Sequence, residues 1–397
     1  MRDHRPESSA AGAQAPDAGT TIGDEADGTE VSPADGGATP TRSVTASGDP
    51  AIDGILHGSA WDATVTYSYP PARSSYQPGY VLDLNANGIG VLDEGFAPAL
   101  RSARVGFESF LGTDSPVDEV NGNSLPVGVV TDLFVRVSFG VNGEPDGENA
   151  RGTLRLANSF DAFPAEAIPP DPDDGLADLY GGDIWLGEPN AQSPGFAGTV
   201  GHFSMLEQVG RALGLAPGHE DTAYGTLPST LDGLEYSVMT DREYPGAPLD
   251  STPFAEEGSF PQTYMMSDIA ALQHIYGADY GNFSGDTVWT WRPGSSLTAV
   301  REDGGPEEVV IAPQSDKIFM TVWDGGGNDT YDMSAYTIPL EISLEPGGRS
   351  LMDPAQLAVV DAPTGRRAEG SVYNAFLHEG DPRSLIENAI GGLGPDV

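Results

Sequence analysis

E-Q-V-G-R-A-L-G-L-A-P, residues 207–217, is the stretch from which the fold is read. Val209, Leu213 and Leu215 are spaced for the buried side of a helix, and Gly214 stands where a helix turns out. Positions 207, 211 and 217, with 208 beside the first, match the frame H-E-x-x-H-x-x-G-x-x-H, in which a helix and the turn after it hold a catalytic zinc. Such an ion needs three lone-pair donors and a carboxylate able to take a proton from its bound water. Arg211 offers only donors and a permanent charge, Pro217 only its backbone carbonyl, and the Gln208 amide cannot accept a proton at neutral pH. Glu207 alone could ligate, and one ligand is not a site, so zinc is expected to be absent. Glu207 and Arg211 stand in the favourable i, i+4 order for a helical ion pair, worth about 0.2–0.5 kcal/mol on an exposed face. Either the pair fills the space of a metal, or it is two unrelated charges on an amphipathic helix; spacing leaves both open.

The 397-residue chain is long enough for two domains, and its 38% of hydrophobic residues is that of a globular protein. Sixty acidic residues against 18 basic ones give a formal charge of -42, and Lys317 is the sole lysine. Nucleic acid and anionic membrane surfaces are therefore excluded as natural partners. Such acidity suits a surface kept hydrated in high salt, carboxylates gathered for divalent cations, or both. With no cysteine there is neither disulfide nor thiolate chemistry, no apolar run is long enough to cross a bilayer, and the N-terminus lacks the apolar core of a signal peptide.

Residues 1–46 are rich in Ala, Gly, Asp, Ser, Thr and Pro and are expected to form a disordered acidic arm. Apolar spacing at Ile52, Ile55 and Leu56 then predicts a helical turn, followed by a strand over Ala63–Tyr67. D-L-N-A-N-G-I-G-V-L-D-E, Asp83–Glu94, fits a twelve-residue calcium loop with Asp83, Asn85, Asn87 and Glu94 as ligands and Gly88 at the turn. An Asn/Gly-rich turn entering the helix of Phe96, Leu100, Ala103, Phe107 and Phe110 would look the same. Strands are predicted over Leu133–Phe139, Thr153–Ala157 and Asp183–Leu186, with a Pro/Asp-rich loop over Pro164–Gly182. A helix over Val200–Leu215 buries Val200, Phe203, Leu206, Val209 and Leu213; another over Ser267–Tyr276 has Ser267 as N-cap and Gly277 past its end. Beyond Gly277 the helical period disappears and strands such as Phe319–Trp323 and Leu340–Leu344 alternate with Gly/Asp/Pro turns. No G-x-S-x-G elbow supports serine hydrolysis. His202, His219, Glu220 and Asp221 flank the 207–217 stretch, but neither histidine has a partner at i+4, so both are expected to be solvated loop residues.

A set of motifs resembles the serralysin family of secreted metalloproteases, within the metzincins. It comprises I-D-G-I-L-H-G-S-A-W with T-V-T-Y-S-Y-P, G-D-I-W-L-G at Gly182–Gly187, V-G-R-A-L-G-L, S-V-M-T, D-I-A-A-L-Q-H-I-Y-G-A at Asp268–Ala278, S-G-D-T-V-W at Ser284–Trp289, V-W-D-G-G-G-N-D-T-Y-D at Val322–Asp332, and I-E-N-A-I-G-G-L-G-P-D. All lie in the family's order, from about Ala51 onward. The resemblance implies an α+β fold: a metzincin-like zincin domain of twisted sheet and long helices over residues 47–277, then an all-β calcium-binding domain over 278–397 that would lead into a parallel β-roll. It places the family's three histidine ligands at Glu207, Arg211 and Pro217, its general base at Gln208, the methionine flooring the metal site at Met239, and the oxyanion-stabilising tyrosine at Asp241. It further implies calcium at Asp324, Gly326, Gly327 and Asp329, with Asp286 and Glu387 completing two adjoining sites. G-G-L-G-P-D, Gly391–Asp396, resembles the first half-turn of the glycine/aspartate roll, too little by itself to hold an ion between successive turns.

The expected function is accordingly that of a catalytically inactive serralysin-like pseudoprotease, stabilised by calcium and binding an extended peptide in the old substrate cleft. Phe160–Ala165 is the expected edge strand for that peptide. The alternatives are an active zinc endopeptidase with a site rebuilt from Glu207, His219 and His202, and a calcium-dependent extracellular structural protein. The resemblance implies an extracellular location, although no secretion signal is found in this chain.

Overall fold

A computed structural model describes residues 40–62, 65–68, 136–137, 154–158, 165–170, 181–186, 197–249, 255–313, 315–394 and 396. The expected calcium loop Asp83–Glu94 and the helix after it lie outside the described residues.

Strand pairing is already present before the composition change. Strand β1 (Thr41–Ser43) pairs antiparallel with β2 (Ser59–Trp61), and Val44 is buried between them and Tyr224, whose hydroxyl donates to the Val44 carbonyl at 2.6 Å. Residues 41–46, assigned to the arm on composition, thus belong to the folded unit: strand pairing and one buried valine offset the ordering cost that composition alone does not. Helix α1 (Pro50–Asp53) follows, with Asp49 capping Ala51 N–H at 2.9 Å.

The first large sheet has the order β4-β3-β5-β7-β6, formed by β3 (Thr66–Ser68), β4 (Arg136–Val137), β5 (Leu154–Asn158), β6 (Ala165–Ala167) and β7 (Asp183–Leu186). All neighbours run parallel except β6, which lies antiparallel to β7 on the edge. The edge strand therefore falls at 165–167, inside the expected Pro/Asp loop, and the rest of Phe160–Ala165 lies outside the described residues. Arg155 and Asp183 face each other across β5 and β7, both buried and joined at 2.8 Å, so each charge has its partner where water is excluded.

Helix α2 (Val200–Ala212) buries Phe203, Leu206 and Val209 and is capped by the Thr199 hydroxyl on His202 N–H at 3.2 Å. It stops short of the predicted Leu215. Gly214 takes φ +101°, outside helical space, and a Cβ there would lie 2.3 Å from the Ser59 carbonyl. His57 N–H donates to Gly214 O and Ala216 N–H to Ile55 O, so the exit is paired like a short strand. Trp61 Nε1 and the Tyr276 hydroxyl take the Ala212 and Leu213 carbonyls that the helix leaves open.

Helix α3 (Met266–Tyr276) starts one residue earlier than expected. Its cap is Met265, whose N–H donates to Asp268 Oδ2 at 2.9 Å; Ser267 sits inside the first turn, displaced as cap by the stronger charged acceptor. Gly277 closes it at φ +90°, as the sequence predicts.

The second sheet, β10-β9-β8-β12-β17, joins β8 (Thr287–Arg292), β9 (Ser295–Glu302), β10 (Glu308–Ile311), β12 (Thr330–Asp332) and β17 (Asn388–Ile390). The β8–β12 and β12–β17 pairs are parallel. A third sheet places β16 (Val372–Asn374) between β11 (Met320–Val322) and β13 (Arg349–Ser350), and β14 (Val359–Asp361) forms a hairpin with β15 (Arg366–Arg367). Leu340–Leu344 forms no strand beyond a single bridge at Glu341; the Asn374 side chain takes the Ser343 and Glu345 carbonyls instead. The main core crosses residue 277: Phe319, Trp323, Val360 and Tyr373 share one cluster with Leu206, Met239, Tyr264 and Ile269. Trp289, Trp291, Tyr331 and Met333 centre the other. The described part is thus a structure of few helices and many strands, with no helix long and apolar enough to cross a membrane among the described residues.

Candidate functional site

The buried face of α2 fixes which way positions 207 and 211 point. Glu207 and Arg211 are half-buried on one side of the helix, and Arg211 Nη2 donates to Glu207 Oε1 at 3.0 Å while its Nε reaches the same oxygen at 3.2 Å. Burial raises the Glu207 carboxyl above its usual range, and the Arg211 guanidinium pulls against that rise. Asp241 is raised by burial too, with His219 and Arg211 opposing. His219 Nδ1 stands 3.6 Å from Asp241 Oδ2. Positions far apart in sequence, 207, 211, 219 and 241, thus form one charged cluster. Gln208, beside it, is buried, with its Oε1 lacking a hydrogen-bond partner.

Two expectations about the histidines need correction. His202 is not in a loop but in the first turn of α2, buried, with Nε2 3.0 Å from the Gln262 carbonyl; helix capping at Thr199 draws it inside. His219 is only partly exposed and faces Asp241. Pro217 is buried at the end of the strand-like exit from α2.

Met239 lies beneath this cluster, buried, and Gly218 N–H donates to its carbonyl at 2.6 Å. A Cβ on Gly210 would approach Met239 Sδ at 3.0 Å, so helix and methionine pack face to face. The turn is held from below by Asp268, fully buried in α3: Oδ1 accepts from the Ser237 hydroxyl at 2.6 Å, and Oδ2 from Val238 N–H at 2.8 Å as well as from Met265. Burial pushes this carboxyl up to about 7, against the donors aimed at it. Neither periodicity nor motif spacing pointed to Asp268 in this role. An acidic residue in the first turn of a helix with a mostly apolar, buried run was the available signal.

The second cluster is the Gly/Asp loop between β11 and β12. Asn328 N–H donates to Asp286 Oδ1 at 3.0 Å, Asp329 N–H to Glu387 Oε2 at 2.7 Å, and Thr287 N–H to Asp329 Oδ1 at 2.8 Å. Asp324 Oδ2 accepts from Trp289 Nε1 at 2.9 Å and Oδ1 from Gly326 N–H at 3.2 Å. The structure therefore gathers Asp286, Asp324, Asp329 and Glu387 with Gly326 and Gly327. Burial, with Asp329 alongside, pushes Asp324 up to about 8; burial also lifts Asp329, to about 6, with Glu387 and Asp286 adding to the rise. Asp329 Oδ2 is buried without a hydrogen-bond partner. Gly326 and Gly327 both sit at φ +145°, and a Cβ on Gly327 would lie 2.1 Å from the Gly285 carbonyl, so main-chain oxygens crowd where a side chain cannot stand.

The oxygen-only donors, the unpartnered carboxylate oxygen and the glycine cradle fit a hard divalent cation such as calcium, which takes carbonyl as well as carboxylate oxygens. Among the described residues no three His, Asp or Glu side chains converge on one point, so main-chain oxygens would have to complete any shell. The donor set at 207–217 is different: the Arg211 guanidinium, which offers no lone pair to a metal, is paired with Glu207.

Comparison with known proteins bears on the second cluster. The family described as Peptidase M10 serralysin C terminal matches residues 305–353, which include the Gly/Asp loop. Metallopeptidase AprA of Pseudomonas marginalis is 27% identical over 234 residues, 55% of this chain and 42% of that protein. Metalloprotease AprA of Pseudomonas entomophila is 30% identical over 213 residues, 52% and 37% respectively, and a serralysin of Proteus mirabilis 27% over 208 residues, 50% and 35%. The chain thus spans less than half the length of these curated relatives. Over about half of its own length the chain is similar to serralysin metalloproteases, and its 305–353 segment matches the serralysin C-terminal family.

Proposed function

We propose that this protein is a serralysin-related pseudoprotease: a calcium-stabilised extracellular protein that has lost zinc hydrolysis and keeps its cleft for binding an extended peptide. The Arg211–Glu207 pair at 3.0 Å carries this reading. A guanidinium supplies no lone pair, repels a dication, and leaves the pair's carboxylate committed. With Gln208, Pro217 and Asp241 at the remaining positions, neither a proton acceptor nor an oxyanion donor of the family's type remains. In this reading the first half is metzincin-like and the second leads toward a β-roll. Asp286, Asp324, Asp329 and Glu387 hold calcium through side chains, and Gly326 and Gly327 through carbonyls. Among the described residues β6 is an antiparallel edge strand with a partner on one side only, and its outer side is the place for a peptide strand, a mode of capture that needs no metal.

Elemental analysis of protein purified without chelator tests the metal assignments directly. Calcium near or above one equivalent with negligible zinc, and no casein cleavage, is the expected result. Stoichiometric zinc with chelator-sensitive cleavage would overturn it. Calorimetric titration with unfolded protein fragments tests the cleft, and the absence of heat would remove the peptide-binding part.

A further inference from the structure

The Gly/Asp loop and the floor of the degenerate cleft are joined by side chains that neither site uses. Two residues past Asp329, the Tyr331 hydroxyl donates to Asn374 Oδ1 at 2.7 Å, both side chains being buried. Asn374 is the last residue of β16, and its amide is fixed on the other side by the Ser343 and Glu345 carbonyls, each at 2.9 Å. Its neighbour Tyr373 donates its hydroxyl to Glu235 Oε1 at 2.6 Å. Glu235 is buried, and the same oxygen also accepts from Glu369 N–H. From Glu235 the chain runs through Tyr236, whose carbonyl takes Ser267 N–H at 3.0 Å, to Ser237 and Met239 under the charged cluster. β16 also pairs with β11, which leads into Asp324, so the loop reaches Tyr373 by two routes.

A buried carboxyl with no cation bonded to it is costly unless it specifies something. Arg349 pairs with Glu341 and Glu369 instead. An apolar pair would bind β16 to the 233–240 segment more cheaply, whereas the hydrogen bond also fixes the direction in which Tyr373 and Glu235 meet.

We propose that the chain Tyr331–Asn374–Tyr373–Glu235 couples occupancy of the Gly/Asp loop by a divalent cation to the order of the cleft floor, residues 233–240. Cation binding fixes Asp324 and Asp329, sets the start of β12, and through the two tyrosine hydroxyls holds the segment that carries Met239. The proposal rests on the calcium reading above and makes the cleft conditional on that metal.

Hydrogen exchange followed by mass spectrometry on the full chain, with calcium chloride or with chelator, provides the test. In the wild-type protein calcium slows exchange both at 324–332 and at 233–240, the latter by about fivefold or more, the lower range of allosteric couplings. Tyr373→Phe and Tyr331→Phe keep the effect at 324–332 and lose it at 233–240. Glu235→Gln, which retains an acceptor oxygen, keeps both. Each variant is compared with itself with and without calcium, so a general loss of stability does not imitate the result. Calcium protection at 233–240 that persists in both phenylalanine variants, or is missing in the wild type while 324–332 responds, overturns the coupling. No response at 324–332 in any protein overturns the calcium reading itself and the coupling with it.

Discussion

Replacing Asp268 reports on the turn that carries Met239. Its carboxyl accepts from the Ser237 hydroxyl and the Val238 and Met265 N–H groups, all buried, so Asp268→Ala leaves three donors without an acceptor. At about 1–3 kcal/mol per stranded buried donor, and allowing for some relaxation, the expected loss is about 3–6 kcal/mol, a large share of a typical domain's stability. Asp268→Asn keeps one carbonyl oxygen and should cost about 1–3 kcal/mol. The pH dependence has a definite sign. The folded-state value of about 7 lies above the unfolded one, so unfolding releases a proton between them. This carboxyl's contribution is therefore fully present below pH ~4 and is lost as pH rises to about 7, by at most about 1.4 kcal/mol per pH unit. Urea unfolding followed by tryptophan fluorescence at fixed calcium, from pH 4 to 8, measures both effects. A loss under about 1 kcal/mol for Asp268→Ala at pH 5, or an Asp268→Asn slope equal to the wild type's, refutes the assignment.

Glu207→Gln strands the Arg211 charge on a half-buried face and should lower stability by about 1 kcal/mol, read from the same urea curves. Gly214→Ala should cost about 3 kcal/mol or more, because it combines φ +101° with a Cβ 2.3 Å from the Ser59 carbonyl; an unchanged melting temperature would count against the described helix exit. Calcium at a hundredfold excess over its Kd should add about 2.7 kcal/mol to stability, and Asp324→Asn with Asp329→Asn should abolish that gain in a thermal melt.

The strands and helices with strong periodicity were legible in the sequence, among them β7, the buried face of α2, and Gly277 at the end of α3. Boundaries set by tertiary contact were not. Leu213–Leu215 continues the apolar pattern of a helix, yet Gly214 turns because residues 55–57 need partners there. Ser267 is a good cap by type, but Asp268 supplies the charged acceptor. Periodicity says which face is buried and never against what, which is why the sharing of one core by Phe319, Tyr373 and Met239, and the reach of Glu235 to Tyr373, had no signature. At the candidate site the spacing of Glu207 and Arg211 permitted their pairing without deciding it, and the structure shows the pair at 3.0 Å. The approach of His219 to Asp241 depends on where the turn after Gly214 is aimed, and spacing does not encode that.

Because the side chains of Phe319, Trp323 and Tyr373 are packed among those of Leu206, Met239 and Ile269, the main core is built from both sides of residue 277, although the Trp289–Trp291 cluster lies wholly in the second half. Heating should accordingly take both apart in a single cooperative step, and a fragment cut near residue 277 would present a raw apolar wall to solvent. A substitution near Met239 in such a molecule is felt across residue 277, since the residues packed around it also serve the β-rich half.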